Sequence, residues 1–284
     1  MFAAVCLSAI ATGCGEDVNT VLEKASQARQ LAADLLVDFT KAADAANRAV
    51  MAETDEASVS FAKEAGGATD AVEKGTGTLG PMLQSLGYTD EGRLLNDFNT
   101  QFGEYRQLDR RILDLAVENT NLKAQRLSYG PAQEAADTFR DALKTLAPSS
   151  PGETWHVQAL VATAVRTVRE IQVLQAPHIA DADAAVMTRM EKEMATSESV
   201  ARDALEKLRP LTGPASAQKI ATAGAALDRF MGLNAEIIAL SRRNTNVRSL
   251  ALSLDQKRAI VTKCETTLRA LRAALEKREY SGRR

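Results

Sequence analysis

Aromatic residues make up only 4% of this 284-residue chain, and it has just two histidines and three cysteines. Two histidines cannot supply a di-iron carboxylate bundle, which needs two inward Glu-x-x-His pairs on separate helices. The only such spacing is Glu153 to His156, beside a Pro-Gly loop. No cysteine spacing suits a metal, and no cysteine pair precedes a histidine for haem attachment. Neither a Gly-x-x-x-x-Gly-Lys phosphate loop nor a nucleophilic serine elbow occurs. No enzyme activity, metal or cofactor is therefore expected. Runs of alternating β-branched residues are missing too, which argues against strands. The formal charge is −2 with acids and bases interspersed, so no basic face invites nucleic acid.

What is present is helical. Alanine and leucine dominate a 45% apolar content, set among Glu, Lys, Arg and Gln, all strong helix formers. The first residues, "MFAAVCLSAIATGCGED", are apolar and end in small residues and a cysteine. They look like the hydrophobic region and lipobox of a bacterial lipoprotein signal, with Cys14 as the acylated residue after cleavage behind Gly13. A membrane-helix stub or a plain signal peptide is the alternative, although spanning needs about 20 apolar residues. No later stretch is long enough to cross a bilayer. With Cys6 removed and Cys14 lipidated, Cys264 is left alone on a helix, where a cysteine behaves as a small buried hydrophobe. Residues 1–14 are thus a signal segment and 15–284 a single bundle on the periplasmic side of the cell envelope. The inner or outer membrane is left open.

Gly75 to Pro81, Leu146 to Thr154 and Arg209 to Pro214 are the strong breakers, with Gly130-Pro131 a kink. Between them four helices are predicted, at about 17–74, 82–147, 153–208 and 215–278. Asn119-Thr120-Asn121 recurs as Asn244-Thr245-Asn246, 125 residues on, and Leu108, Ile112, Leu115, Leu127 and Leu143 repeat at the same offset. A weaker match pairs Val50 with Val186, 136 residues apart. Eleven residues separate the two offsets, close to three helical turns, and are assigned to a longer first hairpin tip around Gly75 to Arg93. The expected fold is all-α: an elongated, antiparallel, up-down-up-down four-helix bundle built from a duplicated helical hairpin, 17–147 and 153–280. Leu240, Val247, Leu254, Val261, Leu268 and Leu275 form a heptad seam, echoed by Leu108, Leu115, Leu122 and Tyr129. The methionines Met187, Met190 and Met194 read as core filling.

On that heptad Asn119 and Asn244 fall at inward positions on diagonal helices, while Thr245 and Asn246 turn to the flank. His178, beside the disruptive Pro177, and Arg126 lie near the same level. These four residues are the candidate lining of a small polar ligand site. The competing reading is structural: buried asparagines fix helix register at some cost in stability. A cavity at the asparagine layer would favour ligand binding, and direct asparagine contact would favour register. Under the register reading, leucine at both positions should stabilise the bundle.

The fourth helix, with "LSRRNTNVRSLALSL" and a later "LRALRAALEK", resembles the periplasmic four-helix-bundle sensory module of bacterial methyl-accepting chemotaxis receptors. The likeness is densest over Leu240 to Lys277 and echoed over Leu115 to Leu146. It implies a sensory bundle that binds a small molecule, dimerises, and acts through a membrane signalling partner. No second span or signalling part is expected, so the module would stand alone on its lipid anchor. The alternative is a scaffolding helical lipoprotein.

Overall fold

The 3–4 spacing of apolar residues becomes helix almost throughout residues 18–281, which the computed structural model describes. The fold is an all-α helical bundle. Its helices are α1 (Val18–Val50), α2 (Asp55–Ser85), α3 (Thr89–Glu118), α4 (Thr120–Leu127), α5 (Gln133–Lys144), α6 (Thr154–Ala180), α7 (Ala184–Leu211), α8 (Ala217–Arg243), α9 (Thr245–Leu252) and α10 (Arg258–Ser281). Five-residue π turns join α4 to α5 at Ser128–Ala132 and α9 to α10 at Ser253–Lys257. The lipidation candidate Cys14 lies outside the described residues.

Helix ends follow local chemistry more than the glycine and proline pattern. The predicted first helix is interrupted after Val50, and α2 starts where Thr54 Oγ1 accepts the Ala57 N–H at 3.1 Å. Asp55 and Glu56 in the first turn of α2 complement its dipole. The predicted third helix is likewise interrupted after Ala180, where Asp183 caps α7 by accepting from Ala185 and Val186. The predicted breaker at Gly75 to Pro81 is instead inside α2, and the chain turns at Leu86–Tyr88, within the predicted tip of Gly75 to Arg93, with Gly87 at φ 69°. Leu35 packs directly on Gly75, where an added Cβ would come within 2.7 Å of Leu35 Cδ2. These ends also remove the match of Val50 with Val186. Val50 closes α1, whereas Val186 lies in the first turn of α7.

The sequence reading treats 15–284 as one bundle; the described residues divide into two compact units, each with its own core. The first unit takes residues 18–44, 64–107 and 259–281. Its core gathers Leu35 and Phe39, Leu79 and Leu83, Leu95 and Phe98, and Leu268 and Leu271 from four helical segments. Few as aromatics are, four of them meet here. Phe39 sits edge-on to Tyr105 at 5.0 Å, and Phe98 stacks on Phe102 at 5.4 Å. Rings of this size carry much of a core's apolar burial. Cys264 is fully buried in the same cluster, and burial pushes its thiol up to about 12.

The second unit takes residues 45–63 and 108–258. Phe139, Ile171, Leu205, Leu208, Leu227 and Phe230 form its main core. Met187, Met190 and Met194 are buried, as core filling requires. The heptad seam is only partly realised. Leu268 and Leu275 are buried, but Leu254 is 64% exposed and Tyr129 72%. Each is the second residue of a π turn, whose extra residue breaks the heptad phase between the positions before and after it.

Candidate functional site

Asn119 and Asn244 are the only non-glycine residues with positive φ among those described, at 58° and 53°. Both adopt the left-handed conformation, which asparagine tolerates better than most side chains. Each stands between two helices, Asn119 between α3 and α4 and Asn244 between α8 and α9. A single left-handed residue breaks the ladder, so the next N–H groups need other acceptors.

Those acceptors come from the other copy of the motif. The Thr120 N–H donates to Thr245 Oγ1 at 3.0 Å, and the Thr245 N–H donates to Thr120 Oγ1 at 3.2 Å. The Asn121 N–H donates to Asn246 Oδ1 and the Asn246 N–H to Asn121 Oδ1, both at 3.1 Å. Side-chain amides complete the layer. Asn121 Nδ2 donates to Asn244 Oδ1 at 2.8 Å and to the Ile179 carbonyl at 2.6 Å. Asn246 donates to Asn119 Oδ1, Asn119 to Asp55 Oδ1 and Asn244 to the Asp181 carbonyl. All four amide nitrogens of the two triplets therefore donate, in a layer where Thr120 and Thr245 are each 1% exposed. A fully satisfied buried network of this kind favours one helix pairing over its slipped alternatives.

This corrects the flank assignment and the diagonal placement. Thr120 and Thr245 face each other directly, and α4 lies beside α9. The heptad count erred because the left-handed asparagines shift the phase at the triplets themselves. Thr120, Asn121, Thr245, Asn246 and Asp55 belong to the layer, although the heptad phase selects only Asn119 and Asn244. The available signal was that all three residues of the motif repeat, not the asparagines alone.

The four candidate residues are only partly brought together. Arg126 is 47% exposed and reaches outward to Asp55, with Nη1 2.8 Å from Oδ2. Asp55 thus bridges Arg126 and Asn119 at the start of α2. His178 is fully buried on the last turn of α6. Its Nδ1 lies 2.6 Å from Ser241 Oγ and its Nε2 lies 2.8 Å from Glu191 Oε1. Arg242 grips the same carboxylate through Nε at 2.6 Å and Nη2 at 2.8 Å. That guanidinium holds Glu191 below the usual carboxylate range, against burial and with help from His178. Ser, His and Glu in a row suggest a hydrolytic triad, but Ser241 and His178 are both fully enclosed and no substrate carbonyl could reach the hydroxyl.

A second buried polar chain runs in the same unit. Ser128 Oγ donates to Gln175 Oε1 at 2.7 Å, and Gln175 Nε2 donates to Asn234 Oδ1 at 2.8 Å. Ser253, the counterpart of Ser128, donates instead to Asn47 Oδ1 at 3.0 Å. Each π turn thus opens with a serine bonded to an amide, one near the end of α1 and one near the end of α6. In the second π turn Lys257 is buried against Asp109, with Nζ 2.8 Å from Oδ1. Burial pushes the Lys257 ammonium below the ordinary lysine range, and Asp109 opposes that shift.

Three surface grooves, of about 380, 570 and 400 Å³, lie along Ala135 to Arg229, Gly80 to Asn96 and Arg209 to Ala221. None of the three is lined by Asn119, Asn244, His178 or Arg126. Among the described residues no group of three His, Cys, Asp or Glu side chains is placed to hold a metal ion. No described helix is long and apolar enough to cross a membrane. The chain matches no protein-family model and no curated protein.

Proposed function

We propose that this protein works by holding partners in place and not by turnover: a scaffolding helical bundle on the cell envelope, anchored through Cys14. The observation that carries the register reading is the reciprocal bonding of the two Asn-Thr-Asn segments, which spends their donors on each other. A ligand site would be expected to leave polar groups converging on free space. Acylation of Cys14 is tested by metabolic labelling with a fatty acid in wild type and Cys14→Ala. Label in wild type alone supports the anchor, and equal or absent label removes it.

A sensory module acting through a membrane partner is the second reading. It is favoured by the cluster of His178, Ser241, Glu191 and Arg242, in which a fully buried histidine meets a half-buried ion pair that register alone does not require. A thermal-shift screen of amino acids, organic acids and aromatic acids separates the two readings. A ligand that raises the wild-type melting temperature, and fails to do so in His178→Phe, favours sensing. Mass action makes that rise worth about 2.7 kcal/mol at a hundredfold excess over Kd.

A further inference from the structure

The apolar stripe that α1 presents to the first unit's core does not stop where the core stops. Ala25, Ala28, Ala32, Leu35 and Phe39 are buried at alternating spacings of three and four. Extending the stripe backwards gives Leu22, Val21 and Val18, which are 62%, 37% and 71% exposed. The register of α1 against α2 explains the change. Leu35 packs at Gly75, so in this antiparallel pair Ser85, the last residue of α2, lies level with Ala25. Ala25 is also the first buried residue of the stripe. The turns before it therefore extend past the end of α2, and Val18, Val21 and Leu22 stay exposed on them.

The anchor proposed at Cys14 would bring a lipid surface close to them. Cys14 is four residues before Val18, and four residues of chain span at most about 14 Å. An acyl chain on Cys14 therefore keeps Val18 within about 14 Å of the lipid surface. Leu22 follows one turn on, about 6 Å along the helix. Side chains that continue a core stripe into solvent beside a lipid anchor match the behaviour of an interfacial helix face. We infer that the face Val18, Val21 and Leu22 of α1 packs on the lipid surface, so that the first unit meets the membrane through this helix end as well as through its acyl chain. This inference rests on the proposed anchoring at Cys14.

The test uses the full chain, expressed in an acylating bacterial host and reconstituted in vesicles of phosphatidylethanolamine and phosphatidylglycerol. A bimane probe is placed by Leu22→Cys, by Val18→Cys or, as the control, by Leu254→Cys. The buried Cys264 thiol, pushed up to about 12, does not compete for the label. Doxyl-labelled lipid should quench the probes at 18 and 22 at least threefold more than the probe at 254. Equal quenching at all three positions, with the mass of the N-terminal peptide showing acylated Cys14, overturns this inference alone. An N-terminal peptide without the acyl mass overturns the anchor reading and this inference together. Strong mutual cross-linking at Leu22 without lipid quenching would assign the face to a second copy of the chain and overturn it as well.

Discussion

Thr120 and Thr245 stand 125 residues apart in sequence and meet with their hydroxyl oxygens 3.2 Å apart, each accepting the other's backbone N–H. The duplication visible as a repeated tripeptide is thus also a physical pairing of the two copies. A side chain that repairs its partner's broken helix cannot be replaced freely on either side.

The conformation of the asparagines reverses the expectation that leucine would stabilise at these positions. Leucine in the left-handed region costs about 1–2 kcal/mol, and it also deletes buried amide bonds worth about 1 kcal/mol each. Asn244→Leu should therefore lower stability by about 2–4 kcal/mol in urea unfolding. Asn244→Gly keeps the backbone conformation and should cost less. A more stable Asn244→Leu would mean that the residue does not need positive φ.

Position 254 separates the simple heptad from the observed packing. Leu254→Asp should change stability by less than about 0.5 kcal/mol, because the side chain already faces solvent. Leu268→Asp, fully buried, should cost about 4 kcal/mol or more. Thermal melts that give both the same large loss would restore the uninterrupted seam.

How far the sequence was legible follows from these residues. Apolar spacing and helix-forming composition lead to the all-α fold, and the repeated triplet leads to the centre of the polar layer. The interruptions at 51–54 and 181–183 are not legible from glycine or proline, since Thr54 and Asp183 act through capping hydrogen bonds. Leu254 and Tyr129 are misplaced for a different reason: a π turn adds a residue without any mark in the heptad itself. Arg126 lies at the rim of the layer, drawn outward to Asp55, whose helix start periodicity does not predict.

Lys257 and Asp109 form a buried ion pair whose desolvation offsets its attraction. Lys257→Met alone should cost about 3–5 kcal/mol by leaving Asp109 as an uncompensated buried charge. The double variant Lys257→Met with Asp109→Leu should recover most of that loss, and could exceed wild type by about 1 kcal/mol or more. A double variant no more stable than the single one would show that the pair is needed as a pair.

Glu191 contributes a pH dependence. Arg242 and His178 hold its carboxyl below the ordinary value of 4.5 in the folded state. The stabilisation is therefore complete above 4.5 and lost as pH falls below it, through the folded value. Unfolding free energy measured between pH 6 and 3 should fall more steeply for wild type than for Glu191→Gln. Parallel curves would remove Glu191 from the acid-labile groups.

The central claim is that the two triplets exist to hold each other, and a double-mutant cycle on Thr120 and Thr245 tests it most directly. Thr120→Val and Thr245→Val keep the shape of the side chain and remove one hydroxyl each. Each single variant should lose about 1–3 kcal/mol, since it orphans one buried N–H of the partner and breaks the hydroxyl contact. Because that contact can be lost only once, the double variant should fall short of the sum by at least about 0.5 kcal/mol in urea unfolding. Strict additivity, or two neutral single variants, would contradict the clasp.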